Sequence, residues 1–248
     1  MTGAALRVED RDGFVLATLD RPEKRNAIDL ALIDALHELC ASLEAHPRTL
    51  VLRGAGGSFA AGADIAQLRE RRAAEARAGI NTRAFMRVHA LPMPVIAVLE
   101  GHTLGGGAEL AYSADIRIGT QSLTIGNPEP GLGIIAAAGA SWRLREIAGE
   151  GIAAEMVLTG RILSGEEAFA AGLVTHLHAD GDAAFATAVA IAKRVAALDP
   201  AAVQASKRVL DAPRSAHPQI DLTEQAILFD SPEKHRRMTA FLERKQQR

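Results

Sequence analysis

Residues 100–110 read Glu100-Gly101-His102-Thr103-Leu104-Gly105-Gly106-Gly107-Ala108-Glu109-Leu110, and this stretch decides how the rest of the chain is read. The apolar run before it, residues 94–99 (PVIAVL), predicts a buried strand. Residues 101–107 predict a turn and residues 108–114 a short helix. The first N–H groups of a helix have no partner within it and favour negative charge developing beside them. Three successive glycines let a ligand come close to that backbone. Such a turn can hold an oxyanion with backbone donors alone.

Two further glycine-rich segments follow predicted strands. One is Ser58-Phe59-Ala60-Ala61-Gly62-Ala63-Asp64-Ile65, and the other is Gly126-Asn127-Pro128-Glu129-Pro130-Gly131-Leu132-Gly133. Any one of the three is also what a plain tight turn looks like, so the reading rests on their order. Residues 14–19 (FVLATL) predict a strand, and Asp29 predicts a helix N-cap. Leu32, Leu36, Leu39 and Leu43 then fall on one helical face. Residues 49–52 predict a buried strand, residues 65–90 a charged helix, and residues 115–118, 123–125 and 173–177 further strands. Ser164 with Glu167 makes a capping box, and Gly172 ends that helix. From about Ala183 the pattern is helical, with breaks near Pro200 and between Pro213 and Pro218. Strands alternating with helices and then helices alone predict an α/β core with an all-helical C-terminal part.

Composition narrows the function. Apolar residues are 48% and charged residues 23% of the 248, and the net charge is −2. That is an ordinary soluble composition with no global charge to draw the chain to nucleic acid or an anionic membrane. No secretory signal and no membrane span is predicted. The single cysteine, Cys40, rules out an internal disulfide or a cysteine metal cluster and makes the cytoplasm the expected location. His89, His176 and His178 do not share a spacing that fits a metal site on one helix. His102 reads as a wall or satisfied histidine, and Ser58 and Ser141 lack a nucleophile context. Gly105 to Gly107 is not a dinucleotide fingerprint. The expectation is therefore no metal and no separate cofactor.

Taken together the segments resemble the enoyl-CoA hydratase/isomerase (crotonase) superfamily over nearly the whole chain. The resemblance starts at Leu19-Asp20-Arg21-Pro22 and Arg25-Asn26-Ala27-Ile28. It runs through the three glycine-rich segments to Thr159-Gly160-Arg161, Ala170-Ala171-Gly172-Leu173-Val174 and Met238-Thr239-Ala240-Phe241-Leu242-Glu243. It implies a crotonase-like spiral of ββα units over 1–192, holding an acyl-CoA site, and a helical trimerisation region over 193–248. It implies that the N–H groups of Ala63 and Gly106 form the oxyanion hole for the thioester carbonyl. Arg25, Asn26 and Ala27 would lie along the coenzyme A nucleotide. Ala61, Asp64, Ile65, Gly105 and Pro128 would border the substrate. Phe241 and Arg244 would meet a coenzyme A bound to the neighbouring subunit of a homotrimer or homohexamer. Coenzyme A enters as part of the substrate.

Glu109 and Glu129 match the two glutamates of a true hydratase. Adding water to a double bond conjugated to a thioester needs a base at Cβ and an acid at Cα, and two carboxyls flanking one water can share that work. The expected roles are Glu109 on the water and Glu129 on the Cα proton. Isomerase, or other acyl-CoA lyase or hydrolase chemistry, is the alternative. The chain departs from the hydratase pattern at Pro130-Gly131, Ala136-Ala137 and Trp142, positions expected to border the acyl pocket. The terminal basic run, Lys234 to Arg237 with Arg244, Lys245 and Arg248, suits coenzyme A phosphates. An RNA surface is the rival from another class, but one Trp, one Tyr and seven Phe offer few stacking groups.

Overall fold

The computed structural model describes residues 5–246, so the first residues of the chain and Arg248 of the basic run lie outside the described residues. Six strands form the main sheet in the order β1 (Leu6–Arg11), β2 (Phe14–Leu19), β3 (Thr49–Gly54), β4 (Val95–Leu99), β6 (Ile116–Thr120) and β9 (His176–His178). The β1–β2 pair is antiparallel and every later pair is parallel. A second sheet joins β5 (His102–Leu104), β7 (Thr124–Gly126) and β8 (Ile162–Ser164).

The central strands are apolar on both faces because both are covered. Phe14, Leu16, Val51, Ile96, Val98 and Ile118 face one helix, α8 (Gly181–Ala196), which presents Ala184, Ala188 and Ala192. Alanines there let the helix sit close on the sheet. The intervening residues, such as Ala17, Leu50, Leu52 and Ala97, face the larger core with α1 (Leu30–Ala45) and α4 (Ile80–His89). Asp29 caps α1, accepting from Leu32 N at 2.9 Å. Leu32, Leu36, Leu39 and Leu43 are all buried, as their spacing predicts. Each such leucine contributes roughly 1.5–3 kcal/mol.

Several readings are corrected. The single helix expected over 65–90 is three: α2 (Ile65–Glu70), α3 (Ala73–Ala78) and α4. It breaks at the extended Arg71 and Arg72 and at Gly79, whose φ is +61°. The turn over 101–107 contains β5, and its helix, α5 (Gly106–Tyr112), starts two residues early. Strand β1 was not foreseen, and the strand placed at 173–177 lies at His176–His178. Ser164 and Glu167 do form the capping box of α7 (Gly165–Ala170). A boundary at residue 192 falls inside α8, a helix that belongs to the sheet. After it come α9 (Pro200–Leu210), α10 (Gln219–Phe229) and α11 (Pro232–Gln246). Lys207 ties α9 to the core through a 2.7 Å ion pair with Asp115. No helix of the described residues is long and apolar enough to cross a membrane.

Candidate active site

The site is built where one loop leaves β3 of the main sheet and two others leave β5 and β7 of the second sheet. Gly105 takes φ +52° and ψ −125°, a conformation a side chain resists, and its N–H donates to Gly126 O at 2.8 Å. That bond fixes the start of α5 against β7. The N–H of Gly106, first residue of α5, has no hydrogen-bond partner among the described residues. Ala63 is the same: Gly62 O and Asp64 N bond to Ile28 on either side of it, at 2.8 Å each, while its own N–H is free within the described chain. A methyl carbon placed on Gly106 would stand 3.6 Å from Ala63 N, so the two donors border one small space.

Glu109 lies one turn further along α5 and is buried. Its Oε1 accepts from Ala138 N at 2.6 Å and Ala140 N at 3.3 Å. The chain there bends at Gly139 into the π-helical turn Ala140–Leu144, whose Arg143 donates to Tyr112 O at 3.3 Å. Burial pushes the Glu109 carboxyl up to about 7, against the pull of the Ala138 N–H, and the charge of Glu129 adds to the rise. Glu129 opens the 3-10 turn Glu129–Leu132 just after β7. Its Oε1 sits beside Gly105, 3.1 Å from where a Cβ on that glycine would stand. Burial raises this carboxyl too. Its Oε2 and the Nδ2 of Asn127 are buried with no partner among the described residues, while Tyr112 Oη donates to Asn127 Oδ1 at 2.9 Å. A buried carboxyl oxygen left without a donor is costly and marks a group kept for a ligand or a proton.

Ala63, Gly106, Glu109 and Glu129 all line one cavity of about 590 Å³, and so do Ala61, Ile65, Gly105 and Pro128. Ile65, Leu68, Ile80, Leu132, Ile134 and Ile135 give it an apolar wall suited to an acyl chain. The other expected contacts lie elsewhere. Arg25 and Asn26 have φ of +49° and +56° in the turn before α1, outside the cavity. The side chain of Asn26 is buried, accepting from Arg21 N at 2.9 Å and donating to Ala55 O at 2.9 Å and Ser58 O at 2.7 Å. It braces the loops and has no polar atom to spare. Ala27 is also outside the cavity, as is Asp64, which caps α2 and lies 3.7 Å from Lys24. Phe241 and Arg244 lie exposed on α11, away from this chain's cavity. Of the departures from the hydratase pattern, Ala137 lines the cavity, whereas Pro130, Gly131, Ala136 and Trp142 do not.

Sequence reasoning missed Arg71, Asn81 and Thr82, which also line the cavity. The helix breaks at Arg71 and Gly79 turn them inward, and Thr82 Oγ1 donates to Ala137 O at 3.1 Å, tying α4 to the loop that holds Glu109. His102 is satisfied, its Nδ1 lying 3.3 Å from Thr124 Oγ1. His89, Asp115 and Asp211 lie close enough together for a cation. Asp115 Oδ2 is already taken by Lys207 Nζ and Val95 N, both at 2.7 Å, so the cluster reads as an ion-pair network.

Known proteins share this architecture. A crystal structure of an enoyl-CoA hydratase from Bacillus anthracis superposes with a TM-score of 0.91 at 28% identity, covering 97% of this chain and 96% of that one. One from Thermoplasma volcanium gives 0.87 at 33% identity, covering 96% and 97%. By sequence, the chain is 33% identical to a short-chain-enoyl-CoA hydratase of Clostridium acetobutylicum, over 95% of this chain and 94% of the relative. It is 32% identical to a 2,3-dehydroadipyl-CoA hydratase of Escherichia coli, over 97% and 96%. The enoyl-CoA hydratase/isomerase family profile matches residues 9–248. With the family profile matched over residues 9–248 and the fold and sequence shared over nearly the whole length, the chain belongs to the enoyl-CoA hydratase/isomerase family.

Proposed function

We propose that the protein adds water across the 2,3 double bond of an enoyl-CoA thioester, with Glu109 and Glu129 sharing the proton transfers. The observation that carries this is the convergence of two buried carboxyls and two unpaired N–H groups on one apolar-walled cavity. Ionised Glu109 takes a proton from water as its oxygen bonds to Cβ. The π electrons move toward the thioester oxygen, where Ala63 N–H and Gly106 N–H meet the growing charge. Protonated Glu129 delivers its proton to Cα, closing the addition. The apolar wall of the cavity lowers the local dielectric and strengthens each of these interactions. The names of the two curated relatives, both hydratases, support the same chemistry.

We infer further that the chain works as a homotrimer or a dimer of trimers. Among the described residues neither α10 nor α11 contains a buried one, and Leu222, Ile227, Phe229, Met238, Phe241 and Leu242 are all more than half exposed. An assembly covers such a surface. Phe241 can then stack on an adenine and Arg244 pair with a phosphate of a neighbour's coenzyme A.

Steady-state hydration of a panel of enoyl-CoA esters tests the reaction. Glu109→Gln and Glu129→Gln should each lower kcat roughly 10²-fold or more, while acyl-CoA binding persists. Intact hydration in Glu129→Gln overturns the two-carboxyl mechanism. A wild-type enzyme that hydrates no ester but shifts a 3-enoyl double bond is an isomerase.

A further inference from the structure

We propose that Asn81 is a third, side-chain donor at the oxyanion site and that Arg71 is the positioning residue that aims it. The proposal rests on the acyl-CoA reading above and deepens it. Asn81 stands in the first turn of α4 and lines the cavity. Its Nδ2 lies 3.5 Å from the point where a Cβ on Gly106 would stand, and Ala63 N lies 3.6 Å from that same point. The amide of Asn81 and the N–H of Ala63 thus border one space beside Gly106.

Which end of the amide faces that space decides whether it helps or harms. An amide oxygen there would repel a developing oxyanion, whereas an NH₂ would stabilise it. Arg71 settles the question. Its Nη1 lies 3.3 Å from Asn81 Oδ1, on the far side of the amide. A guanidinium has donors and no acceptor, so the Asn81 atom facing it must be the oxygen. The NH₂ then points toward Gly106, and among the described residues it has no other hydrogen-bond partner. Arg71 has no carboxylate partner among the described residues. Its position at the break between α2 and α3, inside the stretch read from sequence as one charged helix over 65–90, turns it toward Asn81.

The chemistry follows from where charge grows. A side-chain donor at an oxyanion site is worth roughly 10²–10³-fold in kcat when it acts in the transition state. Here it joins two backbone donors, so we expect a smaller effect, about a tenfold to hundredfold loss of kcat in Asn81→Ala with KM changed little. Asn81→Asp keeps the size and the contact with Arg71 but puts an anion at the site, so its loss should be larger. Arg71→Met frees the amide to turn over and should lower kcat severalfold, with Arg71→Lys recovering part of it.

A readout independent of hydration separates this idea from the functional reading. Wild type and variants are saturated with a saturated acyl-CoA carrying ¹³C at the thioester carbonyl, and the carbonyl stretch is read by difference infrared spectroscopy. Wild type should shift the band to lower frequency, and Asn81→Ala and Arg71→Met should each recover part of that shift, Asn81→Ala more. A full wild-type shift in Asn81→Ala, whatever its kcat, overturns the role given to Asn81. A shift lost in Asn81→Ala but whole in Arg71→Met overturns the role given to Arg71. Absence of binding by wild type overturns the acyl-CoA reading, and the proposal with it.

Discussion

The sheet with its helices and the last two helices are held by different means. In the first region the large side chains Tyr112, Phe59 and Phe85 are fully buried within the chain itself. In the second, α10 and α11 bury no side chain of that size and reach their neighbours through surface contacts such as the Arg208–Glu224 ion pair and Arg237 donating to Ala197 O at 3.1 Å. Exposed polar contacts of this kind contribute little. The first region therefore has what it needs to fold, and the second has what it needs to meet another surface. The groups proposed to be catalytic all lie in the first.

The harshest way to test that division is at two adjacent glycines. A Cβ on Gly107 would stand 2.1 Å from Ala60 O, against backbone that β5 holds in place, so Gly107→Ala should yield little folded protein by circular dichroism. A Cβ on Gly106 meets only ordinary contacts and no positive φ. Gly106→Ala should fold and melt like wild type yet lose most turnover, because the methyl fills the space between the donors. The objection to a methyl at Gly106 is therefore the ligand's and not the backbone's.

Next in size is removal of α11. A chain ending at Pro232 should keep a cooperative melt near that of wild type but fall to a lower mass by light scattering and lose activity with it. Full activity in a wild-type monomer at micromolar concentration would falsify the assembly proposed for α10 and α11.

A third test stays within the first region. The Glu109 carboxyl is raised from 4.5 to about 7 by burial. Between those values the folded chain holds a proton that the unfolded chain has released, so stability falls as pH rises through that window. At about 1.4 kcal/mol per pKa unit, ionised Glu109 costs the fold roughly 3 kcal/mol at pH 8. Glu109→Gln should be more stable than wild type there by an amount of that order, and the gain should vanish toward pH 4. Wild-type hydration should fall as pH drops through about 7, where the base acquires its proton. A variant no more stable at pH 8 than at pH 4, relative to wild type, would show that Glu109 is well solvated.

The smallest expected effect is at the far end of the second region. Arg244→Ala should raise KM for coenzyme A esters a few-fold, and scarcely alter it for a thioester lacking the nucleotide, the scale of one exposed ion pair.

Much of the first region was legible because local rules and tertiary packing agree there. The leucine spacing of α1 and the Ser164–Glu167 box are local patterns that the fold also needs. Strand β1 was hidden because it is an edge, with Arg7, Glu9, Asp10 and Arg11 turned outward and little apolar alternation to see. Strand β5 is three residues between glycines and looked like a turn. The two glutamates were found through the segments that carry them. The groups that hold them were not: Ala138 and Ala140 lie 29 and 31 residues from Glu109 and offer only backbone. Asn81 and Arg71 escaped for a related reason, since they sit in a charged helical stretch whose breaks, not its composition, aim them inward.

One small junction sets how the molecule can couple its two ligand-facing ends. Ile28 bonds to the backbone on both sides of Ala63, and three residues earlier Arg25 O accepts from Ala61 N at 2.9 Å. The turn proposed to lie along the nucleotide and the donor proposed to meet the thioester are thus one rigid lever, a few residues long, with Asn26 as its buried pin. A nucleotide seated at one end would steady the N–H at the other. Attraction for a remote, unreactive handle of the substrate would in this way be converted into alignment at the reacting carbon. A truncated thioester lacking that handle should therefore turn over more slowly even when it fills the cavity.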